Sequence, residues 1–165
     1  MRRYISNFLL IMSLAVFLAC GSSMAPAKIA KTTDLVDSRE FEIQHEWLNP
    51  MSGNRINLIG NPNYIRFKKD SVNLFLPFFG ERFAGGGYND EGGIIYNGPL
   101  KDLEISLNAK DAQIIKFSTS QNTENLDFTI TVYPEGDVNT RVNSSHRSFI
   151  SYQGSIRELK KKDEE

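Results

Sequence analysis

His45 and His146 are the only histidines in this 165-residue chain, so a zinc site or a histidine general base would have to be built on them. Zinc needs three or four nitrogen, sulfur or carboxylate ligands meeting in space, commonly with two of them closely spaced along the chain. The two histidines stand far apart and no close ligand spacing joins them, so neither a metal nor a cofactor is expected. His45 falls on the apolar side of an alternating stretch, where a hydrogen-bonded core imidazole belongs; His146, in Asn143-Ser144-Ser145-His146-Arg147, reads as a turn residue. A Gly-x-Ser-x-Gly nucleophile elbow is absent. Asp90 and Glu91 are neighbours in one loop, a poor arrangement for two carboxylates that must flank a bond from opposite sides. No catalytic residue is nominated.

The most distinctive stretch is Leu76-Pro77-Phe78-Phe79-Gly80-Glu81-Arg82-Phe83-Ala84-Gly85-Gly86-Gly87-Tyr88. A phosphate-binding loop would place glycine amides before a helix, with Lys and then Ser or Thr following. Here Asp90 and Glu91 follow instead and would repel phosphate. Pro77 suits a strand edge and the glycines suit a sharp corner, so the stretch reads as a bend between two strands. Phe79, Arg82, Phe83 and Tyr88 bracket that bend. Packing of the rings into the core is one outcome; an aromatic rim is the other, and these four are the candidate contacts for a ligand or partner.

Cys20 is the only cysteine, so no intramolecular disulfide forms. Arg2 and Arg3 precede an apolar run from Phe8 to Ala19 that is too short to remain as a membrane span and reads as a secretory signal. Phe17-Leu18-Ala19-Cys20, followed by Gly21, resembles a bacterial lipobox, with Phe17 where Leu is usual. That resemblance implies a lipoprotein signal peptide over residues 1–19, a diacylglycerol on the Cys20 thiol and an acylated new amino terminus, and so a partner in the membrane itself. Several acyl chains make release slow, because each buried methylene contributes about 0.8 kcal/mol. The alternative is cleavage near Ala27 and a soluble periplasmic protein.

These groups need elements to position them. Phe41-Glu42-Ile43-Gln44-His45-Glu46-Trp47 alternates with period two, which predicts a strand with Phe41, Ile43 and Trp47 inward and the carboxylates in water. Leu103–Leu107 and Leu126–Tyr133 alternate likewise, and further β-branched or aromatic runs bring the total to roughly ten strands. The short polar links between them join antiparallel neighbours. The expected fold is all-β: an antiparallel meander curled into a barrel-like sheet, with a two-sheet β-sandwich as the alternative. Residues 20–38 read as the acylated cysteine and a flexible tether, with a short helix over Thr33–Ser38; residues 39–156 as one domain; residues 157–165 as a solvated charged tail.

Asp70-Ser71-Val72, Leu76-Pro77-Phe78-Phe79-Gly80, Gly92-Gly93-Ile94 and Ser151-Tyr152-Gln153-Gly154 together resemble the family called domain of unknown function 4251. Its members are small secreted or lipid-anchored proteins of Gram-negative bacteria, and the resemblance runs from about Arg39 to Ile156. It implies an envelope location, facing the periplasm or the exterior, and transfers no functional residues. The family pattern favours Tyr at Phe78, so no hydroxyl chemistry is expected there.

The net charge is −1 and losing Arg2 and Arg3 makes the remainder more acidic, so nucleic acid is not an expected partner. Two function classes stand: a non-catalytic envelope module that binds a protein, a glycan or a hydrophobic small molecule, and an uncharacterised periplasmic hydrolase using His45 or Asp70 in a cleft. Binding leads, because no nucleophile, base and orienting group can be nominated together. A cavity inside the sheet would favour a small molecule; a filled interior would favour surface recognition. Oligomeric state is not legible.

Overall fold

A computed structural model describes residues 26–84, 92–121 and 123–159. A helix, α1 (Pro26–Ser38), leads into ten strands: β1 (Glu40–Pro50), β2 (Ile56–Asn57), β3 (Tyr64–Lys68), β4 (Ser71–Pro77), β5 (Gly93–Pro99), β6 (Lys101–Leu107), β7 (Gln113–Gln121), β8 (Glu124–Val132), β9 (Asp137–Ser144) and β10 (Ile150–Glu158). All pair antiparallel in one sheet, in the order β5-β4-β3-β1-β10-β9-β8-β7-β6, with β2 beside β1. The sheet is continuous and nearly closed into a barrel, so the curled reading holds and the sandwich does not.

Closure comes from the run Gly93–Leu107. Only Leu100 separates β5 from β6, yet β5 hydrogen-bonds to β4 and β6 to β7, so one kinked length of chain draws both edges of the sheet together. Among the described residues the interior is packed with a continuous apolar core. Phe41 stacks on Phe67 at 4.6 Å, Phe67 meets Phe117 edge-on at 5.5 Å, and Phe117 stacks on Phe128 at 4.6 Å. Because Phe67 is on β3 and Phe117 on β7, that edge-on contact joins opposite walls and leaves no room for a ligand between them.

The N-terminal boundary lies earlier than the sequence suggests. The stretch from Pro26, read as tether, is helical, with Pro26 at the first helical position where its missing amide hydrogen costs nothing. Thr32 and Val36 are buried, and Val36 joins the core, so α1 closes one end of the barrel. At the other terminus β10 continues through Glu158, two residues into the segment read as tail. The signal, Cys20 and residues 160–165 lie outside the described residues. Among the described residues, no helix is long and apolar enough to cross a membrane.

Strand β1 departs from simple alternation in two ways. Phe41, Ile43 and His45 point inward as expected, but the register shifts between His45 and Trp47, and after that bulge it is Leu48 that is buried. Trp47 is therefore not a core residue; the Arg55 guanidinium covers its ring at 3.6 Å. Glu42, expected in water, is fully buried. It does stand on the outer face, but Arg66 and Arg157 lie directly opposite it in the two neighbouring ladders and close over its carboxylate. Two arginine stems do there what the core does on the other face.

Candidate functional site

Pro77 ends β4, and the chain then leaves the barrel wall with Phe78 half-buried against the core. Glu81, Arg82 and Phe83 run antiparallel to His146, Arg147 and Ser148 in the β9–β10 connection. Ser148 N donates to Glu81 O at 2.9 Å, Phe83 N donates to His146 O at 2.7 Å, and Arg82 bridges Arg147. The bend after β4 is thus fastened to a second loop at the end of the barrel away from α1.

Arg147 is what holds that second loop. Its Nε and Nη2 donate to the two oxygens of Glu124 at 2.7 and 3.0 Å, and its Nη1 donates to Gly93 O at 2.9 Å. Its guanidinium also lies 5.3 Å from the Phe78 ring centroid, within cation–π range. The Ser144 hydroxyl donates to Glu124 and accepts from the amides of His146 and Arg147. Burial alone would raise the Glu124 carboxyl, but hydrogen bonds from Arg147 and Ser144 outweigh it and hold the group below the ordinary carboxylate range. Burial, and then the Arg147 charge, lower the pKa of the Arg82 guanidinium against the pull of Glu124.

Phe79 and Phe83 are 51% and 67% exposed, and Phe149, which follows Ser148 in the second loop, is exposed too. Packing of Phe79 and Phe83 into the core is overturned: of the described rings in the bend only Phe78 turns inward. The structure brings Phe79, Arg82 and Phe83 to one end of the barrel; Tyr88 lies outside the described residues. Phe149, Arg147 and Glu124 escaped the sequence reading. The only signal for Phe149 was its place before a buried isoleucine in Ser148-Phe149-Ile150.

The hydrolase candidates are not brought together. Asp70 sits exposed in the β3–β4 turn beside Arg39 at 3.5 Å. His45 is buried as expected of a core imidazole, with Nε2 2.9 Å from Thr140 Oγ1 and its backbone gripped on both sides by Asn63. Among the described residues, no group of three or more His, Cys, Asp or Glu could hold a metal ion.

Burial pushes the His45 pKa down from 6.5 to about 3. Below about pH 6.5 the unfolded chain therefore takes up a proton that the folded protein refuses. Stability is complete well above that value and is lost as the pH falls toward 3, with a slope that approaches about 1.4 kcal/mol per pH unit once the pH is about a unit below 6.5. Urea unfolding at about pH 7, 6 and 5 should show the loss steepening toward that slope. His45→Gln, which keeps a polar group near Thr140, should flatten it; a flat profile in the unsubstituted protein would contradict the buried neutral ring.

The family profile described as Domain of unknown function (DUF4251) matches residues 24–156, which takes in α1 as well as the strands. The fold is similar to a crystal structure, at 1.95 Å resolution, of a DUF4251 family protein from Bacteroides eggerthii DSM 20697, with a TM-score of 0.63 and 14% identity over 80% of this chain and 88% of that one. No curated protein matches. A likeness at that identity carries the fold alone, whereas the profile match spans nearly all of the described residues: the chain belongs to the DUF4251 family.

Proposed function

We propose that this protein is a non-catalytic binding module of the cell envelope, held to the membrane by acylated Cys20, which recognises a protein partner through the aromatic rim of Phe79 and Phe83. The observation that carries this reading is the exposure of half to two-thirds of Phe79 and Phe83 on a segment that backbone hydrogen bonds tie to the loop held by the Arg147–Glu124 pair. Water penalises such rings by about 25 cal/mol per Å² of apolar surface, and a partner that covers them recovers that free energy. Phenylalanine and arginine are both enriched at the buried centre of protein contacts. The filled barrel favours surface recognition over a ligand held inside.

The test is cross-linking in the native envelope followed by co-purification, comparing the unsubstituted protein with Phe79→Ser/Phe83→Ser. Both positions are exposed, so the double variant keeps its fold, and recovery of the partner should drop at least about tenfold. Equal recovery would sink the rim. In the same cells Cys20→Ser should move the protein out of the membrane fraction, and unchanged fractionation would remove the anchor.

A further inference from the structure

Strand β6 is bonded to β7 on one side, and among the described residues no strand takes its other side. Every residue of β6 except Leu103 is exposed. Unpaired edges invite further strands, and proteins commonly blunt them with charge, bulges and twist. The first half of β6 has all three. It carries Lys101, Asp102 and Glu104, a register shift lies between Lys101 and Glu104, and Asp102 sits at φ 53°. The second half, Ile105-Ser106-Leu107, has none of them.

That open half borders a groove of about 860 Å³ between α1, β6 and the turns at the α1 end of the barrel. Ile105 stands opposite buried Ile115, and Leu107 opposite Gln113, so both side chains belong to the inner face of the sheet. They are nonetheless 37% and 69% exposed, because the wall ends there. Ile29, Val132, Tyr133 and Pro134 complete the apolar lining. Gln113 also lines the groove and is only 8% exposed. Asp37, Asp111 and Glu135 stand against Lys110 around the groove, a net negative setting.

We propose that this groove is a second binding site, which takes an extended peptide segment of a partner protein as an added strand beside Ile105–Leu107. Such a segment supplies backbone donors and acceptors to the open edge, alternate apolar side chains to the Ile105 and Leu107 side, and a basic flank to the acidic rim. A simple acyl chain would fill the apolar part and leave the edge unpaired and the acidic rim unmatched. The site stands at the opposite end of β9 from the aromatic rim, on none of the rim's residues, and does not depend on it.

The test selects from a displayed library of random peptides of about nine residues, long enough to lay an ordinary strand along the edge, against the full-length protein. Enriched sequences should alternate apolar residues and carry Lys or Arg at a flank. A synthetic copy of the best one should slow amide exchange at Ile105–Leu107. Its affinity should fall at least about tenfold for Leu107→Lys, which places a charge on an exposed edge position without disturbing the core. Near-ultraviolet circular dichroism checks that the variant folds, and Phe83→Ser should bind as before. The proposal is overturned by no enrichment over the bare support, by enriched sequences of helical period, or by equal binding to Leu107→Lys. A concentration-dependent dimer that Leu107→Lys abolishes would overturn it too, by giving the edge to a second copy of this chain.

Discussion

Gly154→Ala should cost at least about 3 kcal/mol, at the upper end of what overpacking does, and in a domain whose whole stability is about 5–15 kcal/mol it should show as a large drop in the denaturation midpoint. The reason is steric. A Cβ on Gly154 would overlap the carbonyl oxygen of Gln44 and stand 2.5 Å from His45 Cα. Those are backbone atoms of β1, and no rotamer moves them. Gly154 faces His45 in the β1–β10 ladder immediately before the register shift, so the glycine is what lets the bulged strand lie close. The φ of Gly154 is not in the left-handed region, which separates this position from Gly136 at φ 90°, where backbone conformation is the constraint. Ser155→Ala, one residue on and exposed, should change stability by less than about 0.5 kcal/mol. Urea unfolding of the two variants side by side decides the matter: a loss below about 1 kcal/mol for Gly154→Ala would mean that β1 and β10 do not approach as described.

That bulge also marks where the sequence stops being legible. Alternation alone was enough to place Leu126, Phe128, Ile130 and Val132 inward on β8, because an unbroken strand keeps its period. In β1 the same rule fails after His45, since the residue that permits the shift belongs to the other end of the chain. Glu42 shows a second limit. Its face was readable from the period, but its burial depends on Arg66 and Arg157, which the sheet order brings to its two sides. For the candidate rim, Phe79, Arg82 and Phe83 stood out as aromatic and basic residues around a glycine run. Whether they turned in or out rested on their pairing with residues 146–148, which no local pattern records. The open edge of β6 was hidden for the same reason: Leu103–Leu107 reads as an ordinary alternating strand, and only the pairing of β1 with β10 makes it the last in the sheet.

Arg147→Ala should destabilise the protein by about 3–5 kcal/mol, because it takes one member from an ion pair that is largely out of water. The side chains of Arg147 and Glu124 are both mostly buried, so truncation takes two hydrogen bonds from the carboxylate, leaving that of the Ser144 hydroxyl, and strips Gly93 O of its donor. Exposed pairs such as Lys31–Glu158 contribute far less, since water already solvates both partners. Arg147→Lys should recover only part of the loss, because an ammonium cannot fork across both carboxylate oxygens and reach Gly93 at once. Replacing both members, as Arg147→Met with Glu124→Leu, should cost clearly less than the sum of the single losses, and that non-additivity in a double-mutant cycle is the signature of a direct pair. The rim should respond with the fold. Amide exchange at Glu81–Phe83 and at His146–Ser148 should speed up in Arg147→Ala well before the β1–β10 ladder opens, because this pair fastens the two loops to the barrel wall. If exchange rises uniformly over the whole sheet instead, Arg147 supports the core in general and the rim is not a separately held surface.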